Sequence, residues 1–317
     1  MRSRIIPYKR YIKNILLIFP RLFAGFWIAL PYLRSRKKYL ISIFGTGDTF
    51  FLCGLLPEYR RKHPGRFKVL ANAQHKEIVS LFGDDSDFVY ISPKQAAWSY
   101  HFFTLASYLF QRIVFCQPYR SLFLPNRNDA KLIEQNGILT MYKRLLDLDD
   151  DCQFHKPGNM GASSAADIPV LDLEKAKQRR VILAPSANSF SSLNIRPMME
   201  QLARELISKG YQVYTNGKEK EALPGTKAIL LRYGDLIDLG NRENVTLVSV
   251  RSGLCDILSC SSINMIVIYP SESYLSSYSL NRLFGEQQRF FELSLSSTGN
   301  NEQEVISSIL TRIDQTY

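Results

Sequence analysis

Two series of short apolar runs, each separated by helical stretches, constrain this chain more than any other feature. In the first series the strand-like runs are residues 40–44, 67–70 and 88–91, with helical stretches over 55–62 and 76–81 and a stop at Pro93. The second series runs through 181–184, 212–215, 228–231, 245–250 and 264–269, with helical stretches over 198–209, 235–239 and 254–261. Continuous apolar strands joined by helices have to lie parallel with both faces covered, because each crossover returns the chain to the same end of the sheet. The expected fold class is therefore α/β, with two Rossmann-like doubly wound domains and a cleft between them at the carboxyl ends of their strands. Residues 155–169, rich in Gly, Ser, Ala and Pro, form the expected linker. The expected organisation is a basic N-terminal segment at 1–38, a first Rossmann-like domain at 39–165 and a second at 166–317.

Charge separates the first segment from the rest. The chain carries a net charge of +11, yet residues 1–40 hold ten basic residues and no acidic one, which leaves +1 for everything after. That near-neutral body argues against nucleic acid as a partner. Between the basic clusters, residues 15–33 are apolar and aromatic, with Phe19, Phe23, Phe26, Trp27 and Tyr32 among them. The expected break at Pro20-Arg21 and the basic residues on both flanks favour a segment lying on an anionic membrane surface over a span or a helical hairpin packed on the domain. Deleting residues 1–35 is expected to leave a soluble protein. The five cysteines include no CxxC pair and the four histidines show no ligand spacing, so a reduced chain with no structural zinc is expected.

Three loops carry the candidate chemistry. Gly45-Thr46-Gly47-Asp48 follows the first strand and enters a helix, and its glycines allow positive φ or close approach of a ligand. A capped α/β turn and a ligand cleft are both consistent with these four residues alone. Pro185-Ser186-Ala187-Asn188-Ser189 leaves the first strand of the second series with hydroxyl and amide donors suited to phosphate oxygens. Arg251-Ser252-Gly253, with Asp256 after it, ends a strand and opens a helix. Ser252 is placed to cap, Gly253 permits close approach, and Arg251 stands beside the helix N–H groups, an arrangement suited to a pyrophosphate. The acidic run Asp149-Asp150-Asp151 reads as a solvated charge run rather than a metal motif.

These residues resemble the heptosyltransferase-type GT-B glycosyltransferases. A strand, glycines with Gly47-Asp48, a helix ending near Pro64-Gly65 and a second strand at 67–70 look like the start of that family. Residues 181–188 and 198–219 look like its donor domain. The resemblance implies that Asp48 acts as the general base on an acceptor hydroxyl. It also implies that Ser186, Asn188 and Ser189 touch the donor diphosphate and that Glu219 lies near the nucleotide ribose, with Glu221 as a competing register. Asn216, Arg196, Arg251, Ser252, Gly253 and Asp256 complete the expected donor set. Where the family has Asp-Ser/Thr-Gly, this chain has Arg251-Ser252-Gly253, so an ADP-heptose donor is not assumed.

The expected function is inverting, metal-independent transfer of a hexosyl- or heptosyl-type sugar from a nucleotide-sugar donor to a lipid-linked saccharide, without a further cofactor. The product would be a cell-envelope polysaccharide, capsule or lipopolysaccharide, made at the cytoplasmic face of the membrane by a peripheral bacterial protein. The alternative is a non-catalytic GT-B-like scaffold. A dinucleotide-dependent oxidoreductase is disfavoured, since no third glycine follows Gly47 at helix spacing and no acidic residue ends the second strand.

Overall fold

The computed structural model describes residues 8–117, 135–157, 179–186, 195–230, 232–242, 245–295 and 302–316, excepting the side chains of residues 8–17 and 242. The chain divides into two compact units, Met1–Ala130 with Met141–His155, and Lys131–Thr140 with Lys156–Tyr317.

The first unit is built on four parallel strands, β1 (Lys38–Ser42), β2 (Phe67–Asn72), β3 (Phe88–Ile91) and β4 (Ile113–Phe115), in the order β3-β2-β1-β4. The order reverses between β1 and β4, the topological switch at which sheets of this kind hold ligands outside their strand ends. Helix α2 (Thr46–Lys62) leaves β1 and is buried on every side through its first three turns, from Asp48 to Leu56. Such a helix is a core element rather than an amphipathic surface one. Helix α4 (Pro93–Leu109) starts from a complete capping box, Ser92 with Gln95, and a proline in its first turn. Between them lies the short α3 (Lys76–Ser80), and α5 (Ile138–Leu145) follows later in the chain.

Helix α1 (Tyr8–Arg34) runs unbroken through Pro20 and Pro31. The expected break at Pro20 is absent: a proline removes one N–H from the ladder, and the helix continues past it. Its inner face packs on α4. A Cβ on Gly25 would lie 2.6 Å from Phe102 Cβ and 3.1 Å from Ser99 Cα, so the helices approach at backbone distance there. Ala29 is fully buried, and Tyr32 meets Tyr39 and Phe103 edge-on or tilted.

The second unit has six parallel strands, β5 (Arg180–Ala184), β6 (Gln212–Asn216), β7 (Lys227–Ile229), β8 (Val245–Val250), β9 (Asn264–Tyr269) and β10 (Phe290–Ser294), in the order β10-β9-β8-β5-β6-β7. Here the switch lies between β5 and β8. One face is covered by α6 (Arg196–Ser208) and α11 (Glu302–Thr316), whose Val305, Ile306, Ile309 and Ile313 are fully buried. The other face carries α7 (Tyr233–Arg242) and α8 (Gly253–Leu258), followed by α9 (Glu272–Tyr278) and α10 (Leu280–Phe284). Most of the expected linker, 158–169, lies outside the described residues. The acidic run is engaged at the surface, Asp149 with Lys62 at 3.0 Å and Asp150 with Arg144 at 3.9 Å.

Candidate functional site

A buried polar cluster forms at the carboxyl ends of β1, β2 and β4. Its centre is Asp48, 4% exposed, in the first turn of α2, where the helix N-terminus favours a negative charge. Gln117, two residues beyond β4, donates Nε2–H to Asp48 Oδ2 at 2.6 Å, and the Tyr142 hydroxyl on α5 donates to Oδ1. Because an ionised carboxylate only accepts, the amide of Gln117 is fixed with its nitrogen toward Asp48. Its other atom, Oε1, is buried and has no partner among the described residues. Asp48, in the first turn of the helix that follows β1, and Gln117, just beyond β4, thus sit on the two sides of the switch point.

Behind Asp48 lies a second layer. Thr49 Oγ1 is 2.9 Å from Ser42 Oγ and 2.7 Å from His75 Nδ1, and Asn72 Nδ2 donates to the Ile43 carbonyl at 3.3 Å. Burial pushes the His75 pKa below its ordinary value, against the pull of the Asp48 charge and a hydrogen bond with the Ser42 backbone. Burial also pushes the Cys116 thiol up, so it stays protonated beside the cluster.

Gly45 serves a purpose the sequence did not reveal. Its φ is −96°, an ordinary extended value, and Gly47 lies inside α2, so neither supplies a left-handed turn. What Gly45 provides is space, since a Cβ there would overlap Asp48 Oδ2. Thr46 is the first residue of the helix.

At the switch point of the second unit, Arg251 is turned inward. It is 6% exposed and pairs with Asp256 through two hydrogen bonds, NH2 to Oδ1 at 2.5 Å and NH1 to Oδ2 at 3.1 Å. Its Nε donates to the Tyr278 carbonyl at 3.0 Å and NH1 to the Ser252 carbonyl at 2.7 Å. Burial alone would lower the pKa of this guanidinium; the Asp256 carboxylate outweighs it and raises it. The expected outward cation beside a helix N-terminus is thus corrected to an internal pair, and α8 is only six residues long. Ser252 stands at the N-cap position, but its side chain makes no capping bond; its Oγ lies 4.0 Å from Cys255 Sγ. Gly253 is the first residue of α8.

The other expected donor residues cluster around β5 and β6. Ser186 is exposed just beyond β5, while Asn188 and Ser189 lie outside the described residues. Asn216 ends β6. Glu221 folds back to accept from the Lys218 N–H at 3.1 Å, and both Glu219 and Glu221 are exposed. Arg196, at the start of α6, pairs with Glu200 at 2.9 Å and donates to the carbonyls of Glu221 and Ala222 at 3.2 and 3.0 Å, tying that loop to α6. Among the described residues no group of three or more His, Cys, Asp or Glu is placed to hold a metal ion.

No family model matches the sequence, and no curated protein matches it closely enough to count. Solved structures do match in fold. The ADP-heptose lipopolysaccharide heptosyltransferase II of E. coli aligns with a TM-score of 0.55 at 13% identity, over 88% of this chain and 99% of that one. The E. coli heptosyltransferase WaaC with ADP gives 0.51 at 10% identity, over 88% and 99%. A glycosyl transferase family 9 protein from Veillonella parvula gives 0.50 at 13% identity, over 88% and 97%. The chain thus has the fold of the heptosyltransferase-type GT-B glycosyltransferases, as its strand and loop pattern leads one to expect.

Proposed function

We propose that this protein is a glycosyltransferase that moves a sugar from a nucleotide-sugar donor to a saccharide acceptor, with Asp48 as the base on the acceptor hydroxyl. The observation that carries this reading is the pairing, at one switch point, of a buried carboxylate with Gln117 Oε1, which has no partner among the described residues. A buried acceptor without a donor is costly in a folded protein, and an acceptor saccharide brings one hydroxyl to donate to Gln117 Oε1 and another, the reacting one, to donate its proton to Asp48. Base removal of that proton develops the nucleophile, and the displacement inverts the anomeric centre. In the second unit, exposed Ser186 and Glu219 with Asn216 and the contacts of Arg196 to the β6–β7 loop face the tasks of holding diphosphate and ribose; Asn188 and Ser189 belong to the same proposed set. Arg251 and Asp256 act as positioning residues for Ser252 and Gly253. No metal or further cofactor is needed in this scheme.

The donor is of the class that the matching structures name, ADP-heptose or a relative of it, with the sugar left open by the inward turn of Arg251. The acceptor is lipid-linked and belongs to envelope polysaccharide, capsule or lipopolysaccharide assembly on the cytoplasmic face of a bacterial membrane. Incubating the full chain with a panel of nucleotide diphosphates and their sugars, and reading thermal shifts and then nucleotide release, tests this. Stabilisation by one nucleotide family, with release lost in Asp48→Asn, is the expected result.

One observation favours a second reading. Asp48 and Arg251 are both buried and engaged within their own units, as they would be in a non-catalytic scaffold of the same fold. In that case no nucleotide shifts the melt, and Asp48→Asn leaves product formation by the assembly unchanged.

A further inference from the structure

Helix α1 has two apolar faces, and only one of them is used. The inner one, with Gly25 and Ala29, lies on α4. The outer one carries Phe19, Phe23 and Trp27, spaced as i, i+4 and i+8 and 70%, 68% and 58% exposed, while Phe26, 38% exposed, borders it and packs edge-on against Phe102 of α4 at 5.7 Å. Phe23 meets Trp27 edge-on at 6.3 Å and Phe26 meets Trp27 at 5.7 Å, and Phe19 stands one helical turn before Phe23, which makes one aromatic stripe along the helix. A helix seated on a globular unit ordinarily shows water a polar face, and an exposed aromatic stripe marks a surface that meets something apolar. On α4 and just past its end, Trp98, Tyr108, Leu109 and Phe110 are also exposed.

The charge around this stripe says what covers it. Arg21, Arg34 and Arg36 are exposed, and residues 1–40 hold ten basic residues and no acidic one. A second copy of this chain would bring the same positive charge to the contact, which opposes self-association through this face. A bilayer containing anionic lipid offers negative headgroups for the arginines and an acyl boundary for the rings. No described helix is long and apolar enough to cross a membrane, and α1 is held at backbone distance from α4 at Gly25. We propose that α1 and α4 together form a rigid platform that lies in the interface of an anionic bilayer, with the Phe19–Phe23–Trp27 stripe inserted and Arg34 and Arg36 at the headgroups. The proposal builds on the membrane-surface part of the reading above; it fixes the first unit to the leaflet, where a flexible leader would only tether it.

The chain has two tryptophans, Trp27 and Trp98, and both sit on this pair of helices, so intrinsic fluorescence reports on the surface directly. The test uses the full chain carrying Trp98→Phe, leaving Trp27 as the reporter, with phosphatidylcholine vesicles and with vesicles also containing phosphatidylglycerol. No sugar donor is present, so vesicle binding is scored apart from transfer. The expected result is co-sedimentation with the anionic vesicles, weakened by salt, with a blue shift of Trp27 emission and quenching by lipids brominated along the acyl chain. Phe19→Ser with Phe23→Ser and Trp27→Ser should lower partitioning about tenfold or more with the thermal midpoint unchanged, since these side chains are exposed. Four results overturn the proposal: a wild-type chain that binds neither vesicle, a triple variant that binds as the wild type does, vesicle binding with Trp27 emission unmoved, or a dimer that shields Trp27 while vesicles stay unbound. Loss of nucleotide binding or transfer with vesicle binding intact would count against the catalytic reading alone.

Discussion

The Tyr142 hydroxyl donates to Asp48 Oδ1 from 94 residues further along the chain, and both side chains are buried. With Gln117 on Oδ2, both carboxylate oxygens are held and the plane of the carboxylate is set. Tyr142→Phe removes one donor from a buried charge, which costs about 1.5–3 kcal/mol. Chemical denaturation of the variant should show a loss of that size. If Asp48 is the base, kcat should also fall about tenfold or more with KM little changed, because orientation rather than binding is lost.

Gly45→Ala should act on Asp48 alone. The added Cβ overlaps Oδ2, and the carboxylate cannot swing aside without giving up Gln117 or Tyr142. The expected cost is about 1–3 kcal/mol of stability. Steady-state rates should drop by more than that loss explains, which a comparison at a temperature where the variant is fully folded would reveal.

For the Arg251–Asp256 pair the prediction concerns which partner is removed. Asp256→Asn leaves a buried guanidinium without its counter-charge and should cost about 3–5 kcal/mol. Replacing both, with Arg251→Met and Asp256→Leu, should recover much of that. Equilibrium unfolding of the two variants side by side checks the order; a double variant no more stable than Asp256→Asn would contradict it.

His75 gives the fold a pH dependence of known sign. Burial holds its folded pKa below the ordinary value of about 6.5, so the unfolded chain takes up the proton first. Its contribution is complete above about pH 6.5 and is lost as pH falls toward the folded value. His101, lowered by burial and by Arg21, adds in the same direction, whereas the lowered carboxylates Glu58, Asp84 and Asp314 lose their contributions only below about pH 4.5. The melting midpoint should therefore fall between about pH 7.5 and 5.5, and less steeply in His75→Asn than in the wild type.

The parallel strands were legible where an apolar run is unbroken. Residues 88–91, 245–250 and 264–269 coincide with β3, β8 and β9, because such runs between turn residues permit little else, even in β3, which is only partly buried. Strand β10, Phe-Phe-Glu-Leu-Ser, escaped notice, since its Glu292 is turned to Ser279, Leu280 and Asn281 and the run reads as too polar for a sheet. At the site, Asp48 was visible from its place after a strand, but its partners were not. Gln117 and Tyr142 reach it from 69 and 94 residues away, and no local pattern encodes that distance. Arg251 was misjudged for the opposite reason: its partner is near. A carboxylate five residues on, across a helix start, was available to claim the guanidinium before any phosphate could.

The packing of Gly25 against α4 bears on how the chain is made. Removing residues 1–35 would strip Ser99, Phe102 and Phe103 of their cover, so truncation is the wrong route to a detergent-free preparation, and serine at Phe19, Phe23 and Trp27 the better one. The same contact sets an order of events on the ribosome. Helix α1 is synthesised about 60 residues before α4 begins, which at about 5–20 residues per second leaves it without its partner for several seconds. For that interval both apolar faces are open, and a nascent chain in this state has reason to meet the lipid surface before its own fold is complete.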